Sequence, residues 1–123
     1  MNDLRQFELE VLHLLGSSTP YGDTLPLLAR SASRIGVEYT GVGYFLSFDS
    51  PSLPAAREVL SDPCVVGEVD DIECGFIAFV ENHSLTLECY TSSDAGIPPD
   101  YRDRDVVLRI ETPVFIGIPS EDQ

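Results

Sequence analysis

The stretch from Gly75 to Thr91 constrains the fold more than any other part of the chain. Apolar side chains recur at every second position through Phe76, Ala78 and Val80, and again through Leu85, Leu87 and Cys89. That period of two belongs to a strand, whose successive side chains point to opposite faces. Asn82-His83 lies between the two runs. A two-residue turn there pairs Phe76 with Cys89, Ala78 with Leu87 and Val80 with Leu85, and collects six apolar side chains on one face. A slip of one residue would set inward positions against outward ones, so the pattern itself selects this register. Asn-His lacks the glycine that short hairpin turns favour, which leaves a longer loop open. The opposite face carries Ile77, Phe79, Glu81, Ser84, Thr86, Glu88 and Tyr90, a mixed set.

Upstream the period changes. Leu4, Phe7, Val11 and Leu14, widened by Leu12 and Leu15, recur at helical spacing and predict an amphipathic helix over 3–15. Arg5, Gln6, Glu8, Glu10 and His13 fill its polar arc; Asn2 or Asp3 caps its start, and a left-handed Gly16 closes its end. A second helix is predicted over 24–35, with Pro26 in the first turn, where its missing N–H costs nothing. Leu25, Leu28, Ala29, Ala32 and Ile35 form its apolar face and Gly36 its stop.

Val37 to Phe48 reads as one strand with Gly41 and Gly43 on the same face. Residues 49–54 form a connector, 55–60 about one turn of helix, and Val65 to Ile72 a further strand with Asp70-Asp71 at its turn. Residues 92–105 form a long polar connector, a length that in compact domains tends to carry function. Val106 to Ile110 and Val114 to Ile118 are the last strands, the second fenced by Pro113 and Pro119 and so placed at an edge. With 123 residues the expectation is a single α+β domain. An N-terminal pair of helices packs on a mainly antiparallel sheet of four to six strands, over about 37–118.

Charge narrows the function. Seven basic residues, all arginine, stand against 21 acidic ones, a formal net charge of −14. Binding to nucleic acid through phosphate contacts needs cations and is excluded, and docking on an anionic membrane is disfavoured in the same way. No basic leader precedes an apolar run at the N-terminus, and the apolar stretches fall far short of the ~20 residues a membrane helix needs. Cys64, Cys74 and Cys89 are odd in number and show no CxxC spacing; the expected address is a cytoplasm, where they read as reduced, mostly buried thiols.

Catalytic and metal-binding patterns fail one by one. Gly41-Val42-Gly43 lacks the third glycine and the βαβ setting of a phosphate loop. Glu68, Asp70, Asp71 and Glu73 match no calcium-loop spacing, and adjacent carboxylates on a strand diverge. His83 at the hairpin tip stands about 20 Å along the strand from Cys89, too far for a nucleophile–base pair. No catalytic residue, metal ligand or cofactor is assigned.

Two groupings remain as candidate binding residues. Tyr101 and Arg102 lie among the acids of the long connector, while Phe79, Glu88 and Tyr90 share the outer hairpin face. Aromatic and arginine side chains are the usual anchors of interfaces. Tyr39-Thr40-Gly41-Val42-Gly43-Tyr44-Phe45, with Gly75-Phe76-Ile77-Ala78-Phe79-Val80-Glu81-Asn82 and Leu87-Glu88-Cys89-Tyr90-Thr91, resembles small acidic bacterial proteins. Those proteins pair a TGVG-aromatic stretch with a GFxxFVEN…LExY hairpin, and some of this general type are similar to immunity proteins that neutralise toxins. The expectation is therefore a non-enzymatic domain that binds a basic protein partner or a second copy of itself through Phe79, Glu88, Tyr90, Tyr101 and Arg102. The competing expectation is a ligand-binding or enzymatic pocket between helices and sheet, opened by Gly41 and Gly43 and lined by Glu38, Tyr39 and Tyr44.

Overall fold

In the computed structural model, which describes residues 4–91 and 93–111, the Asn82-His83 hairpin is the centre of a six-stranded antiparallel sheet. Its strands are β1 (Gly36–Tyr39), β2 (Gly43–Asp49), β3 (Glu58–Val69), β4 (Ile72–Glu81), β5 (Ser84–Tyr90) and β6 (Val107–Glu111), in the spatial order β1-β2-β5-β4-β3-β6. Two helices, α1 (Gln6–Leu15) and α2 (Leu25–Ser31), precede them in the chain. The α+β class and the N-terminal helix order are those the periodicity predicts.

Both short turns work without glycine. Phe76 pairs with Cys89, Ala78 with Leu87 and Val80 with Leu85, so the turn holds two residues. Asn82 and His83 have φ of 55° and 63°. This left-handed region is one that Asn and His enter more readily than most residues. The 50–55 segment clamps the tip: Asn82 N–H donates to the Ala55 carbonyl (2.9 Å) and His83 N–H to that of Pro54 (3.1 Å). Asp70-Asp71, with φ of 53° and 66°, makes the second such turn, and Val69 pairs with Ile72 across it. Here no backbone bond from another described segment clamps the tip, and Arg104 holds only the Asp70 side chain (3.0 Å). Asp71→Gly installs the favoured Asp-Gly turn and is expected to stabilise by about 0.5–1 kcal/mol. A rise in melting temperature of about 2–5 °C in a calorimetric scan checks it.

The core lies between the helices and one sheet face. Val11, Leu12, Leu15, Leu25 and Ala29 are fully buried against Leu46, Val65, Ala78, Val80, Leu85 and Leu87. Each large apolar side chain so removed from water contributes about 1.5–3 kcal/mol.

Several boundaries depart from the sequence expectation. Gly16 has φ −85° and is not left-handed; it and Gly22 instead let two backbones touch, since a Cβ on Gly22 would lie 1.8 Å from the Gly16 carbonyl oxygen. The second helix ends at Ser31 because Ala32 turns extended (ψ 137°), and Gly36 opens β1. The single strand over 37–48 is two strands, folded at Thr40-Gly41-Val42 with Gly41 at φ 92°, so Gly41 and Gly43 do not share a strand face. Residues 58–60 are already β3, not helix, and β3 carries an irregularity between Leu60 and Val65 around the cis Asp62-Pro63 bond. The Val114 to Ile118 strand lies outside the described residues.

Candidate functional site

The long connector is tied down at three levels. At its start, Ile97 N–H donates to the Gly41 carbonyl (3.0 Å) and the Tyr39 hydroxyl to the Ile97 carbonyl. In the middle, a 3-10 turn (Tyr101–Asp103) places Tyr101 in the core, 1% exposed and edge-on to Phe7. Further on, Arg104 pairs with Asp70 (3.0 Å) and Asp100 (2.9 Å).

Glu8 completes the hold, and the helical stripe assigned it to the wrong side. It is fully buried, because the connector covers the flank of α1 that would otherwise face water. Its Oε2 accepts from Arg102 Nε (2.6 Å) and the Tyr44 hydroxyl (2.6 Å). Its Oε1 accepts from Arg102 Nη2 (2.9 Å) and the Arg5 backbone N–H (2.9 Å). The carboxylate thus has four donors, enough to fill its acceptor sites, and the pair with Arg102 is of the bidentate kind. The Arg102 guanidinium also lies 5.5 Å from the centre of the Tyr44 ring, within cation–π range. A signal for this burial was present: Leu4, Glu8 and Leu12 fall at i, i+4 and i+8, in line with the apolar stripe. Nothing local pointed to its partner 94 residues away.

Next to this network sit the Cys74 and Cys89 thiols, both buried, and the Tyr101 hydroxyl, which has no hydrogen-bond partner among the described groups. The Cys74 thiol adjoins that hydroxyl and, with Cys89, disfavours its ionisation. Burial above all, then the surrounding carboxylate and thiols, raises the Tyr44 and Tyr101 phenols well above their ordinary value. The stability they contribute is fully present below about pH 10, the unfolded phenol value, and is lost as pH rises beyond it, because only the unfolded chain can then ionise. In an alkaline titration the phenolate absorbance of these two residues is therefore expected to appear together with the loss of circular dichroism. A smooth titration near pH ~10 in a chain that stays folded is the contrary result.

The other sheet face is different. No described element packs on it. Its rows cross the sheet as Glu38–Phe45–Glu88–Ile77, Ser47–Thr86–Phe79–Val59 and Gly43–Tyr90–Gly75–Val66. Phe45, Ile77, Phe79 and Glu88 are half-buried, while Val59 and Tyr90 are 46% and 43% exposed. The Tyr90 ring lies across Gly75, where a Cβ would stand 2.7 Å from its Cζ. A carboxylate rim surrounds this centre, with Glu68, Glu73 and Glu111 gathered by Arg109 at one edge.

Of the five candidate residues, then, the structure brings Phe79, Glu88 and Tyr90 together. It puts Tyr101 and Arg102 on the opposite side of the sheet, in the interior, so the five do not form one patch. The residues expected to line a pocket also fail to converge: Glu38 lies on the outer face, Tyr39 binds the connector, and Tyr44 is committed to Glu8. A surface hollow of about 380 Å³ beside α1 is lined by Arg5, Arg102 and Arg104, but each is already paired with a carboxylate. Among the described residues no group of three or more His, Cys, Asp or Glu is placed to hold a metal ion, and no helix is long and apolar enough to cross a membrane. No family model, curated protein or solved structure matches the chain.

Proposed function

We propose that this chain is a non-enzymatic binding domain that engages a basic protein partner through the outer sheet face, as an immunity-type or regulatory inhibitor does. The observation that carries this reading is the set Phe45, Val59, Ile77, Phe79 and Tyr90, half-buried to exposed on a face that no described element covers. An apolar and aromatic centre inside a polar rim is the composition of a recognition surface. The charge of −14 chooses the partner's sign. It speeds the approach of a cationic protein and opposes a second copy of this chain. Tyr101 and Arg102 take no part in contact here; they hold the fold behind the face.

Co-purification on the immobilised chain, followed by mass spectrometry, tests the reading. The expected result is a protein of high isoelectric point, held at low salt and shed at high salt. Phe79→Asp combined with Tyr90→Ala weakens its binding by about a hundredfold or more, the scale of lost hot spots. Leu27→Asp, on the exposed side of α2, leaves binding unchanged. Equal binding by the double variant and the native chain, with circular dichroism unaltered, removes the outer face from consideration.

A further inference from the structure

We propose that Glu88 is the receptor for an arginine side chain of the partner, whose guanidinium pairs with the carboxylate and lies over the neighbouring Tyr90 ring. This rests on the reading of the outer face as a binding surface and names the group that surface takes.

Glu88 is the one carboxylate in the middle of the apolar face. Phe45 stands directly across from it on β2 and Ile77 directly across on β4. Tyr90 is two residues further along β5 on the same side, with Cα atoms about 6.8 Å apart at strand rise. Glu88 is half-buried, and its side chain makes no ion pair or hydrogen bond among the described residues. None of the seven arginines is paired with it among the described residues. Lysine is absent, and Arg5, Arg102, Arg104 and Arg109 are bound to other carboxylates. Arg109 shares a sheet row with Tyr90 but lies three strands away, about 14 Å. Residues 112–123 contain no basic side chain.

Any protein that covers this face must take Glu88 further out of water. Burying a carboxylate without a donor costs several kcal/mol, so a purely apolar cover is excluded and the cover must bring a cation or several donors. The surroundings favour arginine over lysine. Tyr90 is laid flat by the missing side chain of Gly75 and presents its ring. A planar guanidinium stacks on such a ring while its fork engages both carboxylate oxygens; a compact ammonium does only part of this.

The probe is an acetylated, amidated Gly-Arg-Gly-Arg-Gly peptide, titrated into the full-length, nitrogen-15-labelled chain, with lysine and citrulline versions beside it. Amide shifts are expected at Phe45, Ile77, Glu88 and Tyr90, strongest for arginine, weaker for lysine and absent for citrulline. Glu88→Gln, with its fold checked by circular dichroism, is expected to weaken arginine-peptide binding about fivefold or more, and Tyr90→Leu to weaken it separately. Shifts spread over every acidic segment and indifferent to Glu88→Gln overturn the proposal, as does a dimer in sedimentation that Glu88→Gln dissolves. If the peptide ignores Glu88 while the Phe79→Asp, Tyr90→Ala chain still loses its co-purified protein, the anchor is wrong and the binding face stands. If the co-purified protein is also unaffected, both fall.

Discussion

Arg102→Ala is expected to destabilise the chain by about 3–5 kcal/mol, because it leaves the Glu8 carboxylate charged, buried and short of two of its four donors. For a domain whose whole stability is of order 6–18 kcal/mol, that is a large fraction. The midpoint in a urea titration should fall accordingly, and the melting temperature by about 10–20 °C. Glu8→Ala should do similar harm by removing the bidentate carboxylate partner of Arg102, which is only 11% exposed. The double replacement Glu8→Met with Arg102→Met should recover most of the loss, since a buried ion pair exchanged for well-packed apolar groups is often neutral. If the two single losses simply add in the double variant, the pair is not coupled and its geometry here is not the one the protein uses. The consequence reaches the surface as well. Arg102 ties the connector to α1, and the same connector closes on Gly41 beside β2, the strand that carries Phe45 to the outer face.

Gly43→Ala is expected to cost about 3 kcal/mol, the upper range for overpacking, because the added carbon has no free space. It would stand 1.7 Å from the Cys89 carbonyl oxygen, a backbone atom of the paired strand that cannot rotate aside. β2 and β5 would have to separate at this end, next to the Thr91 N–H to Val42 carbonyl bond (2.8 Å). Gly41→Ala is the control. It has open space but φ 92°, so it should cost only about 1–2 kcal/mol, the strain of a left-handed residue. Equal losses at the two positions in parallel denaturant titrations contradict this assignment.

How much of the fold could be read in advance follows from the range of the forces involved. The central hairpin was legible to the residue because alternation at Phe76, Ala78, Val80, Leu85, Leu87 and Cys89 admits one register only. The turn over Thr40-Gly41-Val42 was not, because β-branched and aromatic residues flank it on both sides and conceal the reversal. Residues 58–60 were lost to a short helix because the apolar pattern of β3 breaks at its irregular segment, before Val65. The candidate site divides the same way. Phe79, Glu88 and Tyr90 sit together because strand periodicity alone puts them on one face. Tyr101 and Arg102 belong elsewhere because contacts with α1 capture them.

The amino-acid order by itself determined the helix-then-sheet layout, the pairing of β4 with β5, the threefold excess of carboxylates over arginines and the absence of lysine, since each follows from neighbours a few positions apart or from counting. Only the tertiary structure decided that Glu8 is interior, that Arg102 is its partner and that no described element covers the sheet face with Glu88 at its centre. Those facts depend on which distant segments are brought against each other. A side chain's exposure and its ion partner belong to that packing, and no local pattern encodes them.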